Sequence, residues 1–120
     1  MLRAIAIAAA LLAGSSAMVA GQELTGIYTV AGKNPDGSNY NGTATIAGTA
    51  GGVCGITWTI GSGQSSQAFC MRQGEVLGAA YVIGDSIGLV IYRLGADGVL
   101  DGTWSIAGQE GIGEERLTPQ

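Results

Sequence analysis

The chain predicts an all-β protein, a small eight-stranded antiparallel barrel of up-and-down (meander) topology closed by one disulfide. Three observations point there. Past residue 20 no window of helical length keeps apolar side chains at a 3.6-residue period, whereas strict alternation recurs. Glycine clusters break that alternation about every eleven residues, the rhythm of short strands. The breaks are also too short for crossover connections, so successive strands must be antiparallel neighbours.

The first segment, MLRAIAIAAALLAGSSAMVAG, has a different character. Arg3 precedes an apolar run from Ala4 to Ala13, and small residues follow. This is the layout of a signal peptide over residues 1–20, with cleavage expected between 17 and 21. The run is too short to span a bilayer, so the mature chain is expected outside the membrane, periplasmic or secreted. Residues 21–120 then form a single barrel domain.

Eight strands follow, expected at Leu24–Ala31, Tyr40–Ala47, Val53–Ile60, Ser65–Arg72, Glu75–Ile83, Ile87–Leu94, Val99–Ile106 and Glu110–Thr118. In the first, Leu24, Tyr28 and Val30 share a face opposite Thr25 and Thr29. The second sets Tyr40, Ala44 and Ile46 against Asn41, Thr43 and Thr45. In the third, Cys54, Ile56, Trp58 and Ile60 oppose Thr57 and Thr59, and in the seventh Leu100, Trp104 and Ile106 oppose Asp101, Thr103 and Ser105. One dry and one wet face per strand suits a sheet that closes on itself, hiding the apolar side and abolishing both edges. Tyr28, Trp58 and Trp104 are then expected in the barrel interior. A filled core is expected, because no inward polar cluster is visible.

The two cysteines fit one hairpin. If the third and fourth strands turn about Ser62, Cys54 and Cys70 lie opposite each other, within reach of a disulfide. That register turns Ala68 inward and Phe69 and Met71 outward unless a bulge intervenes. The fifth and sixth strands, EVLGAAYVI and IGLVIY, are apolar on both parities. One parity must face out, and Leu77, Tyr81, Ile83, Val90, Tyr92 and Leu94 are assigned there. They form a candidate surface for a protein partner (a host matrix or envelope protein), a homodimer mate, or the chain's own N-terminal segment.

Chemistry has few candidates. The chain has no histidine, which excludes Ser-His-Asp and Cys-His catalysis and the usual zinc sites. The repeated Asp-Gly pairs at Asp36 and Asp97 are expected to turn the chain rather than bind metal, since neither loop offers a calcium ligand set. Glu110, Glu114 and Glu115 read as a solvated edge rather than a glycosidase pair. No cofactor, metal or catalytic residue is assigned, and no enzyme is expected. With nine acids against five basic residues, a nucleic-acid partner is not expected either.

Several stretches carry a resemblance: YTVAGKNPDGSNYNGTATI, CGITW, CMRQGEV, YVIGDSIGLVIYRL, and DGVLDGTW through ERLTP. They resemble a family of small exported proteins of Gram-negative bacteria commonly labelled fibronectin-binding proteins, and the likeness covers nearly all of the mature chain. It implies binding of a matrix protein such as fibronectin, for which hairpin 75–94 is the expected surface. The plan is also similar to avidin-like and lipocalin-like barrels and to small barrel inhibitors of secreted proteases. These imply two alternatives: a carrier with a small ligand inside the barrel, or an inhibitor acting through the segment ahead of Leu24.

Overall fold

The computed structural model describes residues 23–48 and 50–120. The expected signal peptide over residues 1–20, and Gly21 and Gln22 of the expected inhibitory segment, lie outside the described residues. Eight strands form a closed barrel in sequence order. They are β1 (Gly26–Lys33), β2 (Asn39–Gly48), β3 (Val53–Ile60), β4 (Gln64–Gln73), β5 (Val76–Ile83), β6 (Ser86–Leu94), β7 (Leu100–Ile106) and β8 (Gly113–Pro119). β8 returns to β1, where Val30 faces Leu117, so no edge is left unpaired. The last strand starts three residues later than expected, because residues 107–112 form the turn between β7 and β8.

The turns explain the Asp-Gly pairs. Gly37 and Gly98 adopt φ of 93° and 85°, a region that glycine enters without steric cost. Asp36 Oδ1 accepts from the Ser38 amide at 2.9 Å and the Ser38 hydroxyl at 2.6 Å. Asp97 Oδ1 accepts from the Val99 amide at 3.1 Å. Both carboxylates thus brace their own loops.

Cys54 and Cys70 are bonded, with Cα atoms 4.9 Å apart, on directly opposed positions of β3 and β4. Pairing runs from Val53–Met71 to Ile60–Gln64 without interruption, so no bulge rotates the strand. Phe69 and Met71 therefore do point outward, both more than half exposed.

The same register corrects the faces of β5 and β6. Cys70, inside the barrel, pairs with Ala79, which pairs with Val90, which pairs with Trp104. Residues of that parity all point inward. Leu77 and Tyr92 are fully buried, Val90 and Leu94 are buried, and Tyr81 and Ile83 are half-buried. The surface assigned to these six residues is therefore barrel lining. The outward parity is Val82, Ile87, Leu89 and Ile91, each more than half exposed. With Phe69, paired through Ala80 to Leu89, and Met71, paired through Gly78 to Ile91, they make a continuous apolar strip across β4–β6. Around the rest of the wall the outer rows are wet: Thr29 pairs with Thr43, and Thr43 with Thr59.

Inside, the two ends differ. Where the chain enters and leaves, Leu24, Tyr28, Ile46, Leu77, Leu94, Leu100 and Leu117 join the disulfide in a buried plug. The Tyr28 hydroxyl donates to the Leu24 carbonyl at 2.6 Å, tying the entering segment across this end. At the other end the lining is aromatic and only partly covered. Tyr40, Ile60, Ala68, Tyr81 and Trp104 pack on the core but remain half-exposed. The expected filled core therefore holds for one half of the barrel and not for the other.

Candidate functional site

The open end is a cup of about 420 Å³ whose lining includes Tyr40, Trp58, Ile60, Ser66, Tyr81, Val90, Tyr92, Trp104 and Glu115. Five of the seven aromatic side chains in the sequence meet here. Of the three aromatic residues expected inside the barrel, Trp58 and Trp104 line the cup, and Tyr28 belongs to the plug.

Local sequence explains why these rings leave the centre open. Tyr40 lies directly across from Gly32, Tyr81 from Gly88, Tyr92 from Gly102 and Trp104 from Gly113. A Cβ at any of these glycines would fall within 2.6 Å of the ring opposite. Each ring therefore rests on bare backbone of the neighbouring strand, an aromatic laid over a glycine. Without the glycine, the ring would be pushed toward the lumen. Two edge-on pairs link the rings, Trp58 with Tyr81 at 5.5 Å and Tyr40 with Trp104 at 6.3 Å between centroids.

At the floor sits Glu115, buried, and not the solvated edge expected of the Glu110, Glu114 and Glu115 group. Alternation along β8 puts Glu114 and Arg116 outside, and turns Glu115 inward with Leu117. Its Oε1 accepts from the Tyr40 hydroxyl at 2.7 Å. Its Oε2 accepts from Trp58 Nε1 at 3.0 Å and from the Tyr92 hydroxyl in a short hydrogen bond. Among the described residues no lysine or arginine forms an ion pair with it. A carboxylate has about four acceptor positions, so Oε1 keeps one. Trp104 Nε1 is buried beside this network, against the backbone at Gly113.

The phenols register this environment. Burial, then the Glu115 charge, hold Tyr92 and Tyr40 well above the ordinary tyrosine pKa and push Tyr81 up to about 12. Burial raises Tyr28 as well. Folding therefore favours the neutral phenol, and the sign of the linkage follows. Stability is complete below the unfolded-state pKa of about 10 and falls as pH rises toward the folded-state values. Alkaline titration is expected to show little phenolate absorbance until the β-sheet circular dichroism is itself lost, both in one step. Phenolate forming early in an intact barrel would contradict the buried network.

A broader, more open groove of about 710 Å³ crosses the outer wall, touching β1, β2, β5, β6, β7 and β8. Its lining combines Lys33, Arg93, Asp101 and Arg116 with Tyr40, Tyr92 and Glu115, and Asp101 and Arg116 are ion-paired at 2.7 Å. That pair is exposed on both sides and adds little to stability. The chain matches no family model and no curated protein.

Proposed function

We propose that the protein is a non-enzymatic carrier that holds one small molecule in the open end of the barrel. The observation that carries this reading is the aromatic-walled cup around a buried, hydrogen-bonded carboxylate, sealed below by an aliphatic plug. Enclosed, mostly apolar sites with a few fixed polar groups suit small ligands. Glu115 is held by three donors, which favours a binding role over that of a mobile base. Export to an oxidising compartment belongs to the same reading, and the Cys54–Cys70 bond supports it. Native mass spectrometry of gently purified protein tests the proposal. A reproducible co-purified small mass, lost when Gly88→Leu drives Tyr81 into the cup, is expected. A bare chain from every preparation, together with no binding in a small-molecule screen, would overturn it.

A second reading retains hairpin 75–94 as a docking surface for a matrix protein such as fibronectin. The apolar strip of Phe69, Met71, Val82, Ile87, Leu89 and Ile91 favours it, because contiguous exposed apolar area of this kind marks interaction sites. Leu89→Lys is then expected to abolish capture of purified fibronectin and leave thermal unfolding nearly unchanged. Equal capture by parent and variant would remove this reading. Concentration-dependent self-association in the parent, abolished by the variant, would assign the strip to a homodimer.

A further inference from the structure

We infer that the ligand of the cup is a small monocation, an alkylated ammonium. This rests on the carrier reading above and adds its chemical class.

Charge comes first. Glu115 is the only charged side chain in the cup lining, and no basic residue stands there. Its three partners are neutral donors. The carboxylate gives the cup a negative charge that no basic residue of its lining offsets, and a buried charge without a counter-charge is costly. An anionic ligand would add to that cost, and a neutral one would leave it unchanged. A monovalent cation would cancel it, and Oε1 retains an acceptor position toward which such a group can be drawn.

The walls make the same choice. Aromatic faces attract cations through the ring quadrupole, most strongly for indole and when water is excluded. Tyr40, Tyr81 and Trp104, the half-exposed rings, are each laid against the wall by a facing glycine. The arrangement is that of a cage for a head group too weakly hydrated to prefer water. Compact, heavily hydrated ions gain less from such walls than an ammonium whose carbons meet the rings.

Three probes of one shape test this on the protein expressed from its complete chain: choline, its neutral carbon isostere 3,3-dimethyl-1-butanol, and the anion 3,3-dimethylbutanoate. Titrations are followed by tryptophan fluorescence and calorimetry. Choline is expected to bind roughly tenfold or more tighter than the neutral isostere, from the cation–π and charge contributions together. Glu115→Gln, which keeps the size but removes the charge and one acceptor oxygen, should lower the preference for choline, with the variant's own affinity for the alcohol as the reference. Equal binding of choline and the alcohol by the parent would overturn the cationic class and leave the carrier reading standing. Preference for the anion would overturn it too. Binding of none of the three also overturns it, and the carrier reading is then decided separately by the co-purified mass.

Discussion

Leu117→Ala is expected to destabilise the barrel by about 2–5 kcal/mol, the range for truncating a fully buried leucine whose surroundings relax only in part. Leu117 has no exposed surface, pairs with Val30 on one side and Leu100 on the other, and belongs to the plug that seals the barrel. Urea unfolding read by circular dichroism gives the number directly. The informative comparison is Tyr81→Ala, where a larger side chain is removed from a half-exposed position at the cup. A barrel filled along its whole length would charge more for the tyrosine than for the leucine. A plugged cup does the opposite: the leucine costs stability, and the tyrosine costs ligand affinity. A Tyr81→Ala loss equal to or above that of Leu117→Ala would contradict the division of the interior into two halves.

Removing the disulfide is the second large effect. The bond joins residues 16 apart, and closing a loop of that size stabilises by about 3 kcal/mol in the chain-entropy account. Domains of this size have a net stability of only about 5–15 kcal/mol. Paired Cys54→Ala and Cys70→Ala changes should therefore lower the midpoint of thermal unfolding by roughly 12–24 °C, taking about 4–8 °C per kcal/mol. Both cysteines are buried in the plug, so some of the loss would come from packing as well as chain entropy. A shift of only a degree or two would mean that the plug, and not the cross-link, holds this end together. Calorimetry of the oxidised and doubly substituted proteins separates the two.

Much of this architecture was legible in the residues, for identifiable reasons. Threonine alternating with apolar residues in β2 and β3 leaves a single way to face water, so those strands could be oriented unaided. The cysteines then fixed the register of β3 against β4, and that register carried the outward Phe69 and Met71 with it. β5 and β6 defeated local reading because both of their faces are apolar, and periodicity cannot choose between two apolar rows. The deciding signal was non-local. Counting from the tight turn at Gly74 pairs Cys70 with Ala79, so the disulfide also orients the next hairpin.

The site was hidden for a related reason. Glu114 and Glu115 look alike in sequence, and a run of charges near a chain end ordinarily stays in water. Only the parity that Glu115 shares with Leu117 marks it as inward. Its partners come from β2, β3 and β6, far away in the chain, so no local motif could gather them. The cup glycines were equally ambiguous. Glycine inside a strand signals either a bend or a close approach, and which one depends on the residue opposite.

The claim beneath the rest is that Trp58 donates its indole N–H to a buried Glu115 carboxylate, while Trp104 Nε1 makes no bond to it. Nuclear magnetic resonance of the two indole N–H groups in ¹⁵N-labelled protein tests it most directly. The account predicts two distinct signals, one of them a downfield, slowly exchanging Trp58 proton that moves upfield in Glu115→Gln, with the Trp104 signal shifting less. Two indole protons with similar shifts and fast exchange, both indifferent to Glu115→Gln, would contradict it.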